Sequence, residues 1–354
     1  MREYSIAVIP GDGIGPEVIS AGLRVLKLLE GRAGDFRLRV EEFPWGSAYY
    51  RKFGAMMPPD GLGRIRNADA IYFGAVGAPD IADDVTLWGL RLAICQRFDQ
   101  YANVRPARIL RGLASPLRDC RPADLDWVIV RENTEGEYAG HGGRAHRNFP
   151  EELATETAVF TRAGITRIMR FAFKLAESRP RKKLTVVTKS NAQRHGLVLW
   201  DEIAAEVARE FPKVSWDKML VDAMTARMIG KPSSLDTIVA TNLHADILSD
   251  LAAALAGGIG IAPTANINPQ GRFPSMFEPI HGAAFDIAGK GIANPIGALW
   301  SASLMLDHLG EEDAGLRLMN AIEHVTASGV RTPDLCGTAS TQEVTSAVCD
   351  ALQT

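Results

Sequence analysis

Thr237-Ile-Val-Ala-Thr-Asn-Leu-His-Ala-Asp-Ile-Leu-Ser-Asp-Leu-Ala-Ala-Ala-Leu255 reads as a short β-rich strand, Thr237 to Ala240, running into a helix that starts near Asn242. The helix is apolar at Leu243, Ile247, Leu248, Leu251 and Leu255, and two carboxylates interrupt it, Asp246 and Asp250. At a spacing of four they share one face, where like charges repel by roughly 0.2–0.5 kcal/mol even when solvated. Two readings follow: a solvated face, or two oxygen ligands of a hard divalent ion, Mg²⁺ or Mn²⁺. The choice depends on the rest of the chain.

Outward from this stretch, strand and helix patterns alternate. Ser5–Pro10, Asp69–Val76, Asp126–Val130, Lys183–Thr188 and Trp216–Val221 read as strands. Thr161–Ser178, Leu197–Glu210, Ile296–Leu309 and Ala314–Ser328 read as helices, and so does Thr86–Arg105, with Leu87, Leu90, Ile94 and Phe98 on one side. The fold class is α/β, a large sheet flanked by helices. Gly11-Asp-Gly-Ile-Gly15-Pro-Glu follows the first strand, but its third glycine comes one residue too early for a dinucleotide fingerprint, so this is not a standard Rossmann fold. The glycines offer close backbone approach to a ligand.

The strand ends carry the chemistry. Arg131 ends one strand and is suited to fork a carboxylate, with a structural ion pair to Glu132 or Glu135 as the alternative. Lys189 ends a second strand and Asp222 a third, the positions that border a crevice in open α/β sheets. A chain of 354 residues with 46% hydrophobic and 23% charged residues is globular, and a net charge of −3 gives no support to nucleic-acid or membrane binding. Cys95, Cys120, Cys336 and Cys349 have no metal spacing and read as free thiols; with no leader-like segment at Met1, the expected location is cytoplasmic.

Seven motifs in order then resemble the β-decarboxylating dehydrogenases, the family of isocitrate, isopropylmalate, tartrate and D-malate dehydrogenases. They are GDGIGPE (11–17), NVRP (103–106), VRENTEGEY (130–138), TKSN (188–191), Asp222, NLHADILSDL (242–251) and FEPIHGAAFDIAGKGIANP (277–295). DQYANVRP, VRENTEGEY, SRPRKKLT (178–185) and WDK (216–218) look closest to the tartrate and D-malate branch.

The resemblance implies an isopropylmalate dehydrogenase-like fold of two domains, residues 1–100 with 257–354 for the cofactor and 101–256 for substrate and dimerisation, with an arm near 139–157. It implies NAD- and metal-dependent oxidation, with decarboxylation, of a small D-2-hydroxy diacid, tartrate or D-malate. Asp246 and Asp250 would hold Mg²⁺ or Mn²⁺ together with Asp222 from the second subunit of a homodimer. Lys189, also from the partner, would be the base and Tyr138 the acid, while Arg105 and Arg131 clamp the departing carboxylate. NAD would lie along 277–295, with Ile14, Asn191, Glu278, His281, Gly282, Asp286, Ile287 and Asn294 as contacts. Asp286 on the ribose would favour NAD over NADP.

One departure concerns Cys95, which stands where the family has a third clamp arginine. Arg91, one turn earlier, either substitutes for it or the substrate differs; Arg97 faces away. Trp88 and Leu90 are expected to limit the pocket to a small acid, with ordinary helix packing as the alternative for Trp88. The rival activity is 3-isopropylmalate oxidation. A non-catalytic regulatory subunit is the rival of another class, and base, acid and metal ligands together argue against it.

Overall fold

The computed structural model describes residues 1–30 and 36–353. The chain forms two compact units, one of residues 1–100, 108–122 and 253–354, the other of 101–107 and 123–252. The first unit opens with β1 (Arg2–Gly11), α1 (Gly15–Glu30), β2 (Phe36–Glu42), α2 (Ser47–Phe53), α3 (Gly61–Ile65), β3 (Ala70–Ala75), α4 (Asp83–Thr86) and α5 (Leu92–Arg97). The second carries β4 (Ala102–Arg108), β5 (Asp126–Glu132), β6 (Gly136–Ala145), β7 (Leu153–Val159), α6 (Arg162–Ser178), β8 (Lys183–Thr188), α7 (Gly196–Ala208), β9 (Ser215–Leu220), α8 (Val221–Gly230), β10 (Thr237–Ala240) and α9 (Asn242–Ala256), the last of which ends in the first unit. The chain completes the first unit with β11 (Pro263–Ile267), β12 (Ser275–Pro279), α10 (Ile296–His308), α11 (Glu312–Ser328) and α12 (Thr341–Ala351).

In the first unit the strand order is β2-β1-β3-β12-β11. Every pairing is parallel except β11 with β12, where Thr264 faces Glu278, so the sheet is mixed. The apolar runs of β1 and β3 are buried on both faces because helices cover both, α1 and α10 among them. The helix α10 is buried nearly all round, as an apolar sequence in the middle of a layer must be.

In the second unit β4-β5-β10-β8-β9 is the order, and β5, β10, β8 and β9 pair in parallel. The amphipathic α6 and α7 turn Ile165, Ile168, Phe173, Trp200 and Ile203 inward. Away from this core, β6 and β7 make an antiparallel ribbon that is exposed from Gly140 to Thr157. No helix of the described residues is long and apolar enough to cross a membrane.

Two expectations need correction. The helical reading of Thr86–Arg105 fails beyond Arg97: a π turn (Leu87–Arg91) and α5 occupy its start, and Asn103 to Arg105 lie in β4. The alternating burial of Asn103, Val104 and Arg105 is that of a strand, and Pro106 is incompatible with a helix interior. Leu90 is not a pocket wall but a fully buried member of the apolar cluster with Ile71, Phe73, Ile94 and Cys95.

Candidate active site

Strand β10 is four buried residues long and delivers the chain directly into α9, whose first residue is Asn242. That junction sets Asp246 one turn into the helix. Its carboxylate is 34% exposed and is held on three sides. Arg105 of β4 donates Nη1 to its Oδ1 at 3.1 Å, Arg131 of β5 donates Nη1 to the same oxygen, and the Tyr138 hydroxyl lies 3.2 Å from Oδ2.

Both arginines are buried, and each is oriented by further contacts. Arg105 donates to Asn103 Oδ1 at 2.8 Å and to Ser249 Oγ at 2.6 Å; Arg131 donates to Asn242 Oδ1 at 2.9 Å and lies over the Tyr138 ring, 5.2 Å from its centroid. The guanidinium of Arg131 is therefore directed at Asp246 and Asn242. Glu132 and Glu135 serve the following loop instead: Glu132 accepts from the Thr134 and Glu135 amides, and Glu135 accepts from the Thr161 amide and hydroxyl at the start of α6. Asn103 lies two residues before the arginine it orients, whereas Asn242 and Ser249 orient arginines 111 and 144 positions away and had no such signal in the sequence.

Asp250 follows one turn after Asp246, and its carboxylate accepts no hydrogen bond from the described residues. Partial desolvation raises its pKa above the usual carboxylate value, and the charge of Asp246 adds to the rise while Arg105 and Arg131 oppose it. A dication would remove both destabilising effects, so the pair fits a hard-metal ligand set in charge and in donor type. Among the described residues no three acidic, histidine or cysteine side chains of this chain form a metal cage. Asp222, in the first turn of α8, instead accepts a 2.8 Å hydrogen bond from Lys189 Nζ, which holds its carboxyl below the usual range. Lys189 and Asp222 thus form one exposed couple, and Asp246, Asp250, Arg105, Arg131 and Tyr138 form another group.

The expected cofactor residues lie mostly in the first unit. Ile14 is buried, with its amide on the Ala283 carbonyl at 2.8 Å. Gly13, at φ +57°, packs so closely there that a Cβ would fall 1.8 Å from that oxygen. The glycine loop thus closes on the protein's own 277–295 segment. His281 is half-buried; its Nε2 is buried with no hydrogen-bond partner, and desolvation lowers its pKa. Gly282 borders open space, Asp286 is exposed and Ile287 is half-exposed. An unpartnered ring nitrogen beside open backbone and an exposed carboxylate fits an adenosine. Asn294 is engaged internally, with the Asp334 carboxylate and the Ile296 amide, and Asn191, in the second unit, is exposed. Trp88 is 38% exposed.

Arg91 is buried in the first unit, where its guanidinium meets the Glu278 carboxylate of β12 at 2.7 Å. Cys95 is fully buried within the apolar cluster.

Mixed-sheet α/β architecture with acidic and basic groups gathered at strand ends defines a class of enzyme, and comparison with known proteins identifies its family. The isocitrate/isopropylmalate dehydrogenase family model matches residues 5–348. A probable tartrate dehydrogenase/decarboxylase of Agrobacterium vitis is 72% identical over 99% of this chain and 97% of its own length. The decarboxylating D-malate dehydrogenase of Escherichia coli K12 is 48% identical over 99% of this chain and 98% of its own. The crystal structure of isocitrate dehydrogenase from Methylococcus capsulatus superposes with a TM-score of 0.89 at 36% identity, covering 99% of this chain and all of that one. The chain belongs to the isocitrate/isopropylmalate dehydrogenase family and is an oxidoreductase acting on CH–OH groups.

Proposed function

We propose that this protein oxidises and decarboxylates a small D-2-hydroxy diacid, tartrate or D-malate, with NAD and Mg²⁺ or Mn²⁺, in active sites shared between the two subunits of a homodimer. The observation that carries the reading is the arrangement around Asp246: two buried arginines and a tyrosine converge on one carboxylate, with an unpartnered carboxylate one turn on. The relatives named for tartrate and D-malate point to the substrate class.

A dication held at Asp246 and Asp250 would supply Lewis acidity toward the substrate hydroxyl, and NAD held along 277–295 would supply the hydride acceptor. Asp246 and Asp250 of one subunit, with Asp222 of the other, supply the oxygen ligands. Arg105 and Arg131 already bind a carboxylate, that of Asp246, so their forks are set for the carboxylate the substrate brings. With Asp222 engaged at the dication instead of in its 2.8 Å ion pair, Lys189 in its neutral form would accept the hydroxyl proton at Nζ. After CO₂ leaves, the Tyr138 hydroxyl delivers a proton to the carbon that lost it.

Sharing the site accounts for the pairing of Lys189 with Asp222 outside the Asp246 group. Ile229 of α8, Ile247 of α9 and Phe149 and Leu153 of the exposed ribbon leave apolar surface uncovered, which a second copy would bury. Residues 277–295 hold the adenosine, with Asp286 selecting NAD through its charge.

The test is NADH production by the purified protein on a panel of D-malate, both tartrates, 3-isopropylmalate and isocitrate, with and without Mn²⁺. Turnover of D-malate or a tartrate that excess chelator abolishes is the expected result. Chelator-resistant turnover refutes the metal assignment, and preference for 3-isopropylmalate refutes the substrate.

A further inference from the structure

Arg91 closes the π turn Leu87–Arg91, in which Leu92 N–H bonds to the Leu87 carbonyl five residues back. The extra residue in that turn alters the phase at which Arg91 leaves the helix, and such turns concentrate at functional sites. Arg91 is buried and placed against polar atoms of the sheet. Its Nε donates to Glu278 Oε1 at 2.8 Å, and its Nη2 reaches the same oxygen at 2.7 Å. Asn266 of β11 donates Nδ2 to that oxygen as well, at 2.8 Å, and its Oδ1 lies 3.5 Å from Arg91 Nη2. Three donor atoms thus converge on one oxygen of a nearly inaccessible carboxylate. Glu278 sits near the end of β12, three residues before His281, at the entrance to the segment that carries the unpartnered His281 nitrogen and Asp286.

A carboxylate is costly to bury unless cations or N–H donors compensate it. Arg91 supplies two of these three donor atoms and the positive charge, Asn266 supplies the third, and together they fix the position of that oxygen. Cys95, at the expected clamp position, lies in the apolar cluster.

We infer that Arg91 is a positioning residue for the cofactor: it holds the Glu278 side chain in one rotamer at the start of the 277–295 segment. This rests on the proposal that the segment binds NAD.

The experiment uses full-length Arg91→Met, Arg91→Lys, Glu278→Gln and the Arg91→Met/Glu278→Gln double variant, with NADH affinity by fluorescence titration, both KM values and thermal stability as readouts. Arg91→Met is expected to weaken NADH binding and raise KM for NAD by about tenfold, the scale of a lost charge-assisted hydrogen bond. The KM for the hydroxy acid should stay within about twofold, because uniform substrate binding is untouched. Arg91→Lys should recover part of the loss. The double variant should be no worse than the worse single one, since the two residues act as a unit. A rise in KM for the hydroxy acid with unchanged NADH affinity would make Arg91 a substrate clamp and overturn the inference. Lower stability with both affinities unchanged would overturn it too. Wild-type protein that does not bind NADH would defeat the cofactor assignment itself, a separate failure seen in a separate sample.

Discussion

Glu132 shows how one residue links the site to the pH of the solution. It is buried beside Arg131, accepts hydrogen bonds from the Thr134 amide and hydroxyl and from the Glu135 amide, and has its pKa pushed up from 4.5 to about 7 by desolvation. A carboxyl with a raised folded-state pKa binds its proton more tightly when folded. Its contribution is complete below pH 4.5 and is lost as pH rises through about 7. The loss amounts to about 3 kcal/mol. Glu132→Gln should flatten the stability profile between pH 5 and 7.5, read by chemical denaturation at each pH; an unchanged slope would mean that Glu132 is ionised throughout. At this scale the sequence exposed the carboxylate pair Asp246 and Asp250, because a spacing of four in an apolar helix is itself a signal. It did not expose Arg91 with Glu278. Those residues are 187 positions apart, and the π turn that brings them together leaves no mark in local periodicity.

Among elements, legibility followed length and periodicity. The strand Thr237–Ala240 and the helix starting at Asn242 stand as read, because a β-branched run gives way abruptly to a helical apolar pattern. Thr86–Arg105 was misleading because Leu87, Leu90, Ile94 and Phe98 keep helical spacing up to the point where β4 begins four residues later. The strands β11 and β12 are bounded by proline and mix Asn, Ser or Glu with their apolar residues, so no β-branched run marks them. The helix α12 went unread because its inward face includes Thr341 and Thr345 as well as Val344 and Val348, which blurs the apolar stripe. Its start is nonetheless well defined: Ser340 caps the Glu343 amide, and Glu343 reaches back to the Ser340 amide at 2.7 Å. Ser340→Ala should therefore cost about 1 kcal/mol in denaturant unfolding. A loss below a few tenths would show that the box is solvated and contributes nothing.

At the scale of the whole molecule, the family was legible from seven short motifs, and the family model that spans residues 5–348 agrees with it. Strand order was not legible, since β12 lies beside β3 although some 200 residues separate them, and only packing of the finished sheet decides such a pairing. The same holds for the proposed dimer: exposed Ile229 and Ile247 mark a surface, while the sequence carries no record of what covers it. The central claim is that Lys189 and Asp222 of one subunit serve Asp246 and Asp250 of the other, and subunit mixing tests it directly. Lys189→Met and Asp250→Asn should each be inactive alone. Unfolded together and refolded as a mixture, they should regain about a quarter of wild-type turnover, because half of the dimers are mixed and each of those has one intact site. Mixtures that stay inactive while forming mixed dimers would contradict a site built from two subunits.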